Sequence, residues 1–112
     1  MNVADEIKTI GEILRTARHL PWENALYVVG NGPWAESDPC AVLDPEDSEE
    51  PGEIPPAFAA KHGLRYILNF ASVQDIVSNA EQQIRNPSME LLLLAFNYYV
   101  EFDAFIDFTS KE

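Results

Sequence analysis

The stretch ALYVVGNGPWAESDPCAVL, residues 25–43, sets two short apolar runs around a segment of Gly, Pro and acid. Ala25–Val29 is β-branched at its end and is stopped by Gly30-Asn31-Gly32-Pro33, the densest turn punctuation in the chain. Cys40–Leu43 is a second run of the same kind, ten residues further on. Two such runs predict an antiparallel strand pair joined by a long hairpin loop that presents Trp34.

Outward from this hairpin, Val3, Ile7, Ile10, Leu14 and Ala17 recur at helical spacing. They predict a helix from about Ala4 to Arg18, ended before Pro21, with Trp22 folding back on the core. On the other side, Ala57–His62 has room for one or two helical turns closed by Gly63. Leu64–Phe70 alternates large apolar side chains and reads as a central strand. Ser72, with Asp75 three residues on, resembles a capping box for a helix running to about Arg85. Asn86-Pro87 breaks that helix. Ser88 can cap another, through Leu91, Leu92, Ala95, Phe96 and Tyr99, which is apolar on most of its circumference and is expected to be the most buried. Ala104–Phe108 has the character of a last edge strand. The expected fold is α+β, with three helices packed on a small, mainly antiparallel sheet of three to four strands. It forms one domain over residues 1–112, with an acidic surface loop at about 44–56.

Composition bounds the function. The chain has 46% hydrophobic and 11% aromatic residues, more than a disordered acidic tail carries. Its formal charge is −12, which repels nucleic-acid phosphate and anionic lipid, so neither is an expected partner. The longest strongly apolar run, Leu91–Phe96, is far short of the roughly 20 residues that span a bilayer. Cys40 is the single cysteine, which excludes an intramolecular disulfide, and the acidic N-terminal residues do not resemble an export signal. A cytoplasmic protein, with a monomer favoured, is the expectation.

The acids are concentrated. DPEDSEEPGE, residues 44–53, holds Asp44, Glu46, Asp47, Glu49, Glu50 and Glu53. It is not an EF-hand loop, because Glu49 stands where glycine is needed and Pro55 where the bidentate Glu belongs. His19 and His62 fit no zinc spacing, and no nucleophile, Walker or dinucleotide pattern occurs. Carboxylate pairs such as Asp103 with Asp107 are too easily nominated in so acidic a chain to point to acid–base work. No cofactor, metal or catalytic residue is assigned, and the chain is expected not to be an enzyme. From His19 to Ala60 there are nine Asp or Glu and no Lys or Arg. Eight of the nine lie between Glu36 and Glu53, and adjoining loops would merge them into one negative patch that steers a basic partner. Trp34, beside Glu36 and Asp38, has two readings: an apolar anchor for that partner, or a lid folded down on the sheet.

The segments LPWENALYV, CAVLDPEDSEEPGEIPP, GLRYILNF, SVQDIVSNA and AFNYYVEFDAFIDF together look like a group of small bacterial domains. Over most of its length the chain resembles immunity proteins of contact-dependent growth inhibition and related polymorphic toxin systems. The resemblance implies a protein that binds and neutralises one cognate toxin domain. With the charge pattern, it suggests a basic nuclease occluded by Trp34, Glu36, Asp38 and the six acids of residues 44–53. A small ligand- or Ca²⁺-binding regulatory module, and a solvated interaction domain with no toxin partner, are the alternatives.

Overall fold

The computed structural model describes residues 7–44 and 57–108. Along the chain the elements are β1 (Lys8–Thr9), α1 (Ile10–Arg15), β2 (Ala25–Val28), β3 (Pro39–Leu43), α2 (Ala57–His62), β4 (Arg65–Asn69), α3 (Phe70–Gln83) and α4 (Met89–Phe102). A 3-10 turn, Ala17–His19, follows α1. The four strands form one antiparallel sheet in the order β1-β3-β2-β4, so the fold class is α+β as the sequence predicts, with α2 as an additional short helix. The acidic residues 45–56 lie outside the described residues.

The hairpin forms as its apolar runs predict, with Ala25 opposite Leu43 and Val28 opposite Cys40. Every residue of β2 is buried, which an alternating strand with one wet face would not allow. Leu26, Val28, Cys40 and Val42 point into a core with Ile10, Ile13, Leu14, Phe70, Val73, Ile76 and Phe96, supplied by α1, α3 and α4. Ala25, Tyr27, Ala41 and Leu43 point the other way, onto Ala59 of α2 and Leu64. The helices are therefore not confined to one face: α2 covers part of the second. Phe70 and Phe96 are fully enclosed, and burial of each ring stabilises the fold by about 1.5–3 kcal/mol.

Several boundaries differ from the sequence reading. Lys8 and Thr9 are a strand on the edge of β3, and α1 begins only at Ile10. Thr9 is the reason: its backbone is extended and its hydroxyl accepts from Glu12 N–H at 3.1 Å, the geometry of a helix cap. The next two N–H groups, of Ile10 and Gly11, donate to the carbonyls of Asp38 and Glu36, so the loop before β3 satisfies the first turn of α1. A side chain at Gly11 would overlap that of Glu36. Trp22, expected to fold back, is 63% exposed, and Leu20 packs against the core instead.

β4 lies at the edge of the sheet, paired only with β2; Arg65, Tyr66 and Asn69 are exposed. Phe70 belongs to α3, not to the strand. Asn69, not Ser72, caps α3: its side chain accepts from Ser72 N–H at 2.8 Å. Replacing Asn69 with Ala is expected to cost about 1 kcal/mol and Ser72→Ala nearly nothing, read from urea unfolding. The opposite ranking would restore Ser72 as the cap. Ser88 caps α4 as predicted, and Gly63 ends α2 at φ +71°. Residues 104–108 form no strand; Gln83 holds them, donating to Ile106 O at 2.8 Å and accepting from Phe108 N–H at 3.0 Å.

Candidate protein-interaction surface

The loop between β2 and β3 is pinned rather than splayed. Trp34 is only 5% exposed: its ring meets Phe96 edge-on at 5.9 Å and its indole N–H donates to Val29 O at 2.9 Å. Asn97 of α4 holds the Trp34 backbone from both sides, accepting from its N–H at 2.8 Å and donating to its carbonyl at 3.0 Å. The same amide donates to Leu93 O at 3.1 Å. Gly32, at φ +79°, passes so close to the indole that a Cβ there would lie 2.6 Å from the ring. Of the two readings of Trp34, the lid on the core is the one the fold adopts, and the ring is not offered as an exposed anchor.

Glu36 and Asp38 are also engaged in this loop. Glu36 pairs with Arg15 of α1, and Asp38 accepts from Ala35 N–H at 2.8 Å while its carbonyl receives Ile10 N–H. Both pairs are solvent-exposed or nearly so, and they fix the loop more than they stabilise the fold. Asp44 lies at the far end of β3, about 20 Å from Asp38 at the rise of an extended strand. Among the described residues, then, Asp44 is not brought together with Glu36 and Asp38. Asp44 instead stands near Tyr27, whose hydroxyl is raised above its ordinary pKa by burial, then by Tyr66 and the Asp44 carboxylate. Glu46, Asp47, Glu49, Glu50 and Glu53 lie outside the described residues.

Cys40 faces the core and has no water access, so burial, reinforced by the Glu12 carboxylate, pushes its thiol up to about 12. Such a thiol is neither a nucleophile nor a ligand at neutral pH. Among the described residues, no group of three or more His, Cys, Asp or Glu side chains is placed to hold a metal. No helix among them is long and apolar enough to cross a membrane.

What the sequence reading missed is the outer face of α4. This helix is not the most buried: Leu92, Ala95 and Phe96 face the core, whereas Leu94 is 50% and Phe102 57% exposed. Leu94, Tyr98 and Phe102 follow one another at four-residue steps, so they form one stripe along the helix. The Tyr98 ring packs against that of Phe102, tilted by 45° with centroids 4.6 Å apart. Beside the stripe runs an open groove of about 400 Å³, lined by Asn31, Gly32, Pro33, Asn97, Val100 and Glu101. The signal was present in Leu91–Leu94: four consecutive leucines go around a helix, and they cannot all face one core.

Fold and surface together define a small open-sheet α+β domain that carries an apolar stripe on its outermost long helix. The chain belongs to the family described as a domain of unknown function, DUF7716, which matches residues 6–108. No curated protein and no solved structure matches it.

Proposed function

We propose that this chain is an inhibitory binding protein of the immunity type, which occupies the working surface of a cognate basic toxin domain and so neutralises it without chemistry of its own. The observation that carries the reading is the charge: −12 overall, with nine acids and no Lys or Arg from His19 to Ala60. A nuclease holds phosphate with Lys and Arg, and a surface of opposite sign competes for that groove and speeds encounter. Glu36 is paired with Arg15, and this reading assigns most of the steering charge to the run Asp44, Glu46, Asp47, Glu49, Glu50 and Glu53.

The partner is sought first, by tagged capture from producing cells at low and high salt, followed by inhibition assays on the purified toxin domain. Changing the six acids to Asn and Gln is expected to slow association by more than about tenfold at low salt and to flatten its salt dependence. An unchanged rate in stopped flow would remove the segment from the interface. Failure to inhibit any captured domain, together with a thermal midpoint that climbs with added Ca²⁺, would replace the inhibitor by a cation-binding module.

A further inference from the structure

We propose that the outer face of α4, with the groove beside it, is a docking site for a cationic amphipathic helix of a partner protein. This names the surface that engages the basic partner proposed above, and it rests on that reading for the partner's charge. Leu94, Tyr98 and Phe102 give an apolar seam of the length an aligned helix needs to seat residues at its own i, i+4 and i+8 positions. α4 has fourteen residues and no Lys, Arg or His. From Asn86 to Ser110 the chain has Glu90, Glu101, Asp103 and Asp107 and no basic residue at all. Glu90, Glu101 and Asp103 are exposed, so carboxylates border an apolar seam. On the loop side, Asn31–Trp34 is uncharged, and Arg15 is already paired with Glu36. A helix with leucine-like residues on one face and Lys or Arg on its flanks meets both requirements.

The same charges argue against a second copy. A two-fold contact through α4 would set this acidic border against itself in a molecule already at −12. Rigidity favours docking over collapse of the groove. Asn97 ties the groove's loop wall to α4 through hydrogen bonds of 2.8 and 3.0 Å, so the site is formed before a partner arrives.

The test needs no toxin. A synthetic amphipathic helix of leucine and lysine, the length of α4, is titrated into the isotopically labelled chain, alongside a peptide with each lysine changed to glutamate. Backbone shifts concentrated at residues 90–105 and 31–34, with the lysine peptide only, are expected. Leu94→Glu and Phe102→Ser should each weaken binding at least about tenfold, and Glu90→Lys with Glu101→Lys should do the same. Both apolar positions are half exposed, so these variants keep their melting temperature, which is checked in parallel. Shifts confined to residues 44–53 would overturn this site and leave the inhibitor reading standing. Equal binding of both peptides, or none, would overturn it as well. So would dimers in sedimentation that Leu94→Glu dissolves, or contacts from residues 1–6, 45–56 or 109–112 to the Leu94 and Phe102 side chains. Should the peptide bind as expected while no toxin domain is inhibited, the surface stands and the toxin reading falls.

Discussion

Replacing Trp34 with alanine is expected to lower the unfolding free energy by about 3–5 kcal/mol, in the range of large aromatic deletions from a core. The indole has 5% of its surface exposed and meets Phe96 edge-on. Its removal leaves a void beneath the β2–β3 loop and orphans the Val29 carbonyl, which receives the indole N–H. It also loosens the segment whose carbonyls close the first turn of α1. Trp34→Phe keeps most of the packing and loses the donor, so its cost should be smaller, about 1–3 kcal/mol. Urea unfolding with an unchanged slope measures both. A Trp34→Ala protein within about 1 kcal/mol of the original would mean that the ring is dispensable to the core. The exposed-anchor reading would then return.

The second large effect is alkaline. Cys40 has a folded-state pKa of about 12 against an ordinary value of 9.0, so the neutral thiol is the form the fold prefers. Its contribution is fully present below pH 9. It is lost as pH rises from there toward 12, at about 1.4 kcal/mol per pH unit, or about 4 kcal/mol across the window. Tyr27 acts with the same sign from pH 10 upward, since its hydroxyl is raised too. Stability measured by urea between about pH 8 and pH 11 should fall steeply, and Cys40→Ala should have a shallower fall from a lower starting point. In the folded protein, alkylation of Cys40 should proceed only as fast as the chain opens. Equal slopes for both proteins, with rapid alkylation at neutral pH, would show that the thiol is not desolvated.

How much of this was legible depended on the range of the signal. The hairpin, the Gly63 stop and the Ser88 cap were readable because each is decided within a few residues. Asn69 and Ser72 both favour caps, and three residues apart the sequence alone does not rank them; Phe70 N–H donating to Asn24 O ties the start of α3 to the sheet and favours Asn69. A two-residue strand such as β1 has no period to detect. Trp34 sits in Gly/Pro surroundings that suggest a surface tip, and the residue that holds it down, Asn97, is 63 positions away. The stripe on α4 was hidden by its own hydrophobicity: a helix apolar all round reads as buried, and the described residues supply neighbours for only part of its circumference.

The shortness of β1 has a consequence for self-association. It pairs with β3 only at Pro39 and Cys40, so among the described residues no strand covers the outer edge of Ala41, Val42 and Leu43. An apolar strand with unpaired amides is a template on which further chains can stack into aggregates. The sequence follows that edge at once with Asp44 and five more carboxylates before Glu53 is passed, and with two prolines among them. Like charges and missing amide donors are the two means by which natural sheets keep their margins from zippering together. The acidity proposed above to steer a basic partner thus has a second use, as a gatekeeper that keeps copies of the chain from joining edge to edge.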